Sequence, residues 1–342
     1  MKLIHPAFMV RPSIPEELSS GASEIVKRFT ANTELAFPGQ FLFSIPGASV
    51  RGASFVVLPE GAFVVEGNWR SANVIYHPYF RKRRLKNRRT LKGNWYPVLS
   101  YYSQSYHHWL WNDVPRLITA LPNLPPDTRF LIPHDPCDYH TASLDALGIS
   151  QDRLVPQEAL DDTIMETMWF ASPLGDSEWA ATDPQVAGRL REKLWEAARI
   201  APSEANRKFY VSRAHSQQRR IVNEDEILPI IRKYGFETVF AERLSFMEQV
   251  SLFSKAKIIL GAHGAGLTNM LHAEPGATIL EMHVNNTDMA RTHYWTMAHT
   301  LGHGYACLVG EEVKNEGKSF DSDISIRPLE LERMLARHAA GN

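Results

Sequence analysis

Three polar sets in the C-terminal half of the chain combine residue types suited to phosphate and sugar chemistry. Ser212-Arg213 stands close to Arg219-Arg220, and guanidinium forks match phosphate oxygens two at a time. His263-Gly264-Ala265-Gly266 exposes backbone N–H groups at the start of an expected helix, a place that favours anions. Glu281 offers a carboxylate able to accept hydrogen bonds from two ribose hydroxyls. Phosphate, phosphate and ribose together describe a nucleotide. A helix N-terminus contributes only about 0.3–1 kcal/mol toward an exposed anion, so the arginines should supply most of the affinity for a diphosphate.

Further forward, aromatic residues concentrate between Asn94 and Leu121: Trp95, Tyr96, Tyr101, Tyr102, Tyr106, Trp109 and Trp111, interleaved with His107, His108 and Asp113. Such a segment is either a buried aromatic cluster or a platform for a carbohydrate or nucleotide with ionisable groups beside it. His107, His108 and Asp113 are its acid–base candidates, because a histidine titrates near neutrality without large perturbation. Just before it, Arg81 to Arg89 is basic except at Leu85 and Asn87. That run is either a solvated face or a contact for phosphate groups, on anionic lipid or on a pyrophosphate-bearing acceptor. No RNA-binding motif accompanies it, so nucleic acid is not an expected partner.

Other chemistries fit less well. Gly261-x-x-Gly264-x-Gly266 is not the dinucleotide fingerprint and falls late in its domain, which argues against an oxidoreductase. Two cysteines, Cys137 and Cys307, build neither a disulfide framework nor a Cys-based zinc cluster. His-Glu-x-x-His and Gly-x-Ser-x-Gly are missing, and His293, His299 and His303 have no carboxylate companion at ligand spacing. The Asp321-Ser322-Asp323 triplet is expected to be solvated in a polar tail. No metal and no cofactor is expected.

The elements that would position these residues follow from local signals. Phe55–Leu58 and Ala62–Val65 flank Pro59-Glu60-Gly61 and predict a hairpin in a β-rich front. Helix is expected from near Ser105 past Asn112, with Pro115 interrupting or kinking it. Strand, helix, strand follows at Arg129–Pro133, Tyr139–Leu147 and Arg153–Val155, and Pro184 opens a helix after Asp183. From Lys208 onward strands and helices alternate. Asn223 with Glu226 and Ser245 with Glu248 have capping-box spacing, and Gly235 closes a helix. That alternation implies a parallel doubly wound sheet with ligands beyond the carboxyl ends of its strands. The expected division is residues 1–200 (β-rich to 90, α/β from 91), 201–310, and a polar segment with a C-terminal helix at 311–342.

Composition sets wide bounds. The 342 residues suffice for about two domains. The 37 basic against 38 acidic residues, a formal charge of -1, exclude only a global polycation. No window approaches the roughly 18 apolar residues of a membrane span, and Pro6 and Pro12 break any signal-peptide core. The expected address is cytoplasmic, with peripheral contact at the inner face of the membrane through Arg81–Arg89.

Tyr210-Val211-Ser212-Arg213, Arg219-Arg220, Gly235-Phe236-Glu237 and above all Gly261-Ala262-His263-Gly264-Ala265-Gly266-Leu267-Thr268-Asn269-Met270 resemble glycosyltransferase family 61. So does Tyr106-His107-His108-Trp109-Leu110 followed by Pro115-Arg116-Leu117. The resemblance implies a GT-B architecture, two Rossmann-like α/β domains facing a cleft, with the donor on the C-terminal one. It implies an inverting, metal-independent transfer from a nucleotide-diphosphate sugar, a UDP-sugar first, to a glycan or lipid-linked glycan, as in bacterial capsule or envelope polysaccharide synthesis. By motif, Ser212, Arg213, Arg219, His263, Gly264, Ala265, Gly266 and Glu281 would line the donor site, with Arg220 competing with Arg219. His108 is the favoured base, with Asp113 as its orienter or as the base itself. A non-catalytic nucleotide-sugar-binding protein of the same fold is the alternative.

Overall fold

The computed structural model describes residues 1–13, 17–18, 34–52, 55–61, 87–100, 102–158, 161–174, 182–201, 205–284, 292–314 and 322–339. The chain divides into two compact units. The first comprises Met1–Phe8 and Ala36–Lys193, the second Met9–Leu35 and Leu194–Asn342.

The first unit is built on a mixed sheet of β1 (Lys2–His5), β2 (Gln40–Pro46), β3 (Ser49–Arg51), β4 (Phe55–Val57), β5 (Asn87–Pro97), β6 (Arg129–Ile132), β7 (Leu154–Pro156) and β8 (Asp161–Ala171). Its order is β1-β2-β8-β5-β6-β7, with β3 bridging β8 and β4. Pairing is parallel from β8 through β7 and antiparallel at β1, β2 and β3. Val50, Val56, Trp95, Leu131, Met165 and Met168 fill one face. The first arm of the expected hairpin pairs with β3 instead; its second arm, Ala62–Val65, lies outside the described residues. The Gly61 N–H does close a turn onto the Leu58 carbonyl, at 2.9 Å.

Strand β5 takes in the last three residues of the basic run, Asn87–Arg89; Arg81–Lys86 lie outside the described residues. Arg88 sits opposite Asp162 and Arg89 opposite Thr163 in the register with β8, so acceptors on the neighbouring strand meet both guanidinium groups. Arg89 donates to the Thr163 hydroxyl at 2.9 Å and lies 3.7 Å from Asp161. Asp162 is shared by Arg51 and Arg88. The charge pattern hides a strand because the compensating carboxylates lie some 70 residues away in sequence.

Beyond β5 the chain turns helical at Tyr106–His108, widens into a π turn at Trp109–Asp113 and continues as α1 (Val114–Ala120). Pro115 therefore does not end the helix. It stands at the first turn of the restarted α-helix, where its missing N–H costs least. Next come α2 (Asp138–Ala146), closed by Gly148 at φ +78°, and α3 (Pro184–Ala197), whose first amides donate to the Asp183 carboxylate.

The second unit carries β9 (Arg207–Val211), α4 (Glu224–Lys233), β10 (Glu237–Val239), α5 (Phe246–Phe253), β11 (Ala256–Ala262), β12 (Thr278–Val284), α6 (His293–Thr300), β13 (Gly304–Val313), β14 (Asp323–Ser325) and α7 (Pro328–His338). The order β10-β9-β11-β12-β13-β14 is parallel through β13 and antiparallel at β14. Tyr210, Ile227, Ile231, Leu260, Leu280, Met282, Leu308 and Leu335 belong to its core. Ser245 and Glu248 form the expected reciprocal cap of α5. Asn223 does not cap α4: its amide is bonded to the backbone of Ile326, tying the entry of α4 to the chain after β14. Of the Asp321–Asp323 triplet, Asp321 lies outside the described residues, and the end of the triplet is not solvated. Asp323 is 2% exposed within β14. Among the described residues no helix is long and apolar enough to cross a membrane.

Candidate functional site

In the second unit the first strand, β9, lies between the second and the third, β10 and β11. Strand order therefore reverses between β9 and β11, and a doubly wound sheet opens a ligand crevice at such a point, beyond the carboxyl ends. Those ends are Val211, leading into Ser212-Arg213, and Ala262, leading into His263-Gly264. Register pairs Val211 with Gly261. Topology alone thus brings two of the sequence-identified sets together.

Arg213 lies directly over the glycine turn. A methyl group on Gly264 would stand 2.1 Å from its Nη1, so this glycine makes room for the guanidinium. Gly266 serves packing: a methyl there would reach within 2.7 Å of Val211 Cγ1. The segment after the turn, Ala265–His272, winds as 3-10 helix. Arg213 Nη2 donates to the Gln218 carbonyl at 2.9 Å and its Nε to the Arg219 carbonyl. Burial, then the neighbouring Arg219, pushes its pKa down to about 10. Arg219 itself is held at φ +56°, a left-handed backbone uncommon outside glycine. Its buried Nε has no hydrogen-bond partner among the described residues. Within the same limits, neither arginine forms an ion pair with a carboxylate.

Arg220 is placed differently. Its Nε and Nη2 both donate to Asp323 Oδ2, and its backbone N–H to Oδ1. Of the two arginines the sequence left in competition, Arg220 holds β14 and Arg219 stands beside Arg213. Ser212 Oγ donates to Glu224 at 2.6 Å, alongside the Tyr210 hydroxyl, which fixes the strand end to the start of α4.

Glu281 does not present its carboxylate to an opening. It is fully buried, with Oε1 hydrogen-bonded to His263 Nδ1 and Oε2 taken by the Tyr305 hydroxyl at 2.5 Å. Burial pushes its pKa up to about 8, against the pull of the Tyr305 hydroxyl and Arg219. The ribose-binding carboxylate expected at this position is instead an internal brace for His263. Two residues escaped the sequence reading. Tyr294 on α6 brings its ring to 5.0 Å from His263 and lies in the field of both arginines. His283 gathers with His263 and Glu281 so that one donor atom from each lies within 4.8 Å of the others, the one group among the described residues suited to holding a metal ion. The signal was present as Glu281-x-His283 on one strand, two residues apart and so on one face.

In the first unit, His108 Nδ1 is 2.9 Å from Asn112 Oδ1, one helical turn on, and its ring stacks on Tyr102. An amide oxygen only accepts, so this contact puts the proton on Nδ1 and the lone pair on Nε2. Asp113 is not the orienter. It is 1% exposed, accepts from Ser100 at 3.0 Å and Ser103 at 2.7 Å, and lies 3.6 Å from Arg116. Burial raises its pKa, with Arg116 and both serines pulling the other way. Its role is to clamp the 100–103 loop onto the helix.

The second unit is thus a doubly wound α/β domain with two neighbouring arginines at its switch point. Residues 106–280 match the model of the family Glycosyltransferase 61, and the chain belongs to that family. It is 36% identical over 85 residues to the EGF domain-specific O-linked N-acetylglucosamine transferase of Drosophila melanogaster, covering 24% of this chain and 16% of that protein. Two Arabidopsis thaliana proteins are also similar. The xylan glycosyltransferase MUCI21 is 28% identical over 40% of this chain and 28% of its own length. The beta-1,2-xylosyltransferase is 31% identical over 27% of this chain and 19% of its own length. The chain thus covers less than a third of each of these relatives.

Proposed function

We propose that the protein transfers a sugar from a nucleotide-diphosphate donor, a UDP-sugar first, to a hydroxyl of a glycan or glycoconjugate, with inversion at the anomeric carbon. The observation that carries the donor half is the pair Arg213 and Arg219: two neighbouring cations, Arg213 donating to backbone carbonyls and Arg219 with a buried Nε that has no hydrogen-bond partner, and neither in ion-pair contact with a carboxylate among the described residues. Desolvating like charges together is costly, and a diphosphate would offset that cost by accepting charge-assisted hydrogen bonds from both. These side chains, rather than a diffusible divalent ion, would balance the leaving diphosphate as the glycosidic bond breaks.

On the acceptor half, His108 is the proposed base: its Nε2 lone pair takes the hydroxyl proton while the oxygen attacks, and Asn112 holds the ring. The names of the relatives point to xylose or N-acetylglucosamine as the transferred sugar. The test is a panel of nucleotide sugars incubated with the full chain, with and without glycan acceptors, read as nucleotide release. UDP release should appear with at least one UDP-sugar and fall at least a hundredfold in His108→Ala while UDP binding persists. Donor binding without turnover across the panel would favour the non-catalytic alternative. Failure to bind any nucleotide diphosphate would overturn the reading.

A further inference from the structure

The cluster beneath the switch point has the donor set of a metal centre, and we propose that His263, Glu281 and His283 bind one divalent transition-metal ion, zinc being the best match. Two imidazoles and one carboxylate are a recurrent zinc set, with a fourth position left for water or another ligand. Three independent features place them.

Glu281 and His283 alternate on β12 and so share a face. His263 follows β11, the adjacent parallel strand, and its backbone N–H donates to the Met282 carbonyl at 2.9 Å, which seats it between the other two. Register of the sheet, rather than a loop, therefore sets the spacing. The donor atoms lie within 4.8 Å of one another; ligands on a tetrahedral ion with bonds of 2.0–2.1 Å stand about 3.4 Å apart, so small side-chain rotations complete the shell. Outer contacts orient the donors as metal sites require. The His283 Nδ1–H donates to the Val284 carbonyl at 2.9 Å, which leaves the lone pair on Nε2. The Tyr305 hydroxyl holds Glu281 Oε2, which turns Oε1 toward His263. On binding, the ion takes the place of the proton between His263 Nδ1 and Glu281 Oε1: the imidazole stays neutral with its proton on Nε2, the carboxyl group ionises, and its proton leaves to solvent.

All three residues are buried, at 3%, 0% and 1% exposure. The ion would stiffen the strand ends that carry the arginines, and this does not depend on the transfer reaction. The test uses the full chain, stripped with a chelator, dialysed and titrated with Zn²⁺ or Co²⁺. One ion should bind per chain, with the visible absorption of tetrahedral Co²⁺ and a rise in melting temperature on zinc addition. His283→Ala and the near-isosteric Glu281→Gln should each abolish the Co²⁺ bands, whereas His299→Ala, on α6, should keep them. Circular dichroism checks that each variant folds, and Glu281→Gln carries the result where His283→Ala does not. Absence of stoichiometric binding to the wild type, or bands that survive both substitutions, would overturn the site.

Discussion

The two units treat positive charge differently. In the first, each cation described above has a carboxylate within reach: Arg116 beside Asp113, Arg89 beside Asp161, and Arg51 and Arg88 sharing Asp162. In the second, Arg220 is similarly matched by Asp323, but Arg213 donates to backbone carbonyls with Arg219 beside it, and among the described residues neither forms an ion pair. Matched charge holds elements together. Unmatched charge, kept in place by a left-handed residue and a glycine that makes room, is what the proposed diphosphate would neutralise. The chemistry of a site therefore shows in what the fold declines to neutralise as much as in residue type.

Substitutions should separate the two uses. The largest effect is expected at Asp113→Ala, which strands Arg116 in the core and frees the Ser100 and Ser103 hydroxyls. Denaturant melts should show a loss of about 3–5 kcal/mol, with UDP affinity per folded molecule unchanged. A loss below 1 kcal/mol would mean that the clamp is not structural.

The reverse pattern is expected at Arg219→Gly. Relief of the φ +56° backbone and of repulsion with Arg213 should raise stability by about 1 kcal/mol, while UDP affinity falls. A stability loss of that size would instead make Arg219 a structural residue.

His140 gives a pH-dependent case in the first unit. Its Nε2–H donates to the Ser103 carbonyl and its Nδ1 accepts from the Cys137 N–H, so the native state holds the neutral ring. Burial lowers its pKa below the usual 6.5. The stabilisation is therefore fully present above pH 6.5 and is lost as pH falls through the lower folded value, by at most about 1.4 kcal/mol per pH unit. The stability gap between wild type and His140→Gln should narrow from pH 7.5 to pH 5; a constant gap would exclude the linkage. Smallest of all should be Arg88→Ala. Its side chain is 71% exposed and 3.8 Å from Asp162, and such pairs contribute less than about 1 kcal/mol.

Much of the second unit was legible because its signals are local. Alternation of apolar runs with capped helices placed β9 through β13, and the strand-end rule pointed to Arg213 and His263 before any geometry was known. What escaped depends on long-range pairing. Asp323 meets Arg220 across 103 residues, so a residue that reads as polar tail opens an edge strand. Glu281 looks like an exposed strand-end carboxylate until β13 brings Tyr305 and β11 brings His263 against it. Strand β5 was concealed because its arginines are neutralised by β8, and Asn223 trades a cap for the backbone of Ile326. Local propensity reads elements well; it does not say which polar groups will satisfy one another.

The central claim is that Arg213 and Arg219 are kept unneutralised for a diphosphate. Calorimetric titration of UDP into wild type, Arg213→Ala and Arg220→Ala tests it most directly. Arg213→Ala should weaken binding about ten- to hundredfold, the value of charge-assisted hydrogen bonds of roughly 1.5–3 kcal/mol, with no loss of melting temperature. Arg220→Ala should lose stability at β14 and keep its affinity for UDP. Equal UDP affinity in wild type and Arg213→Ala would contradict the account.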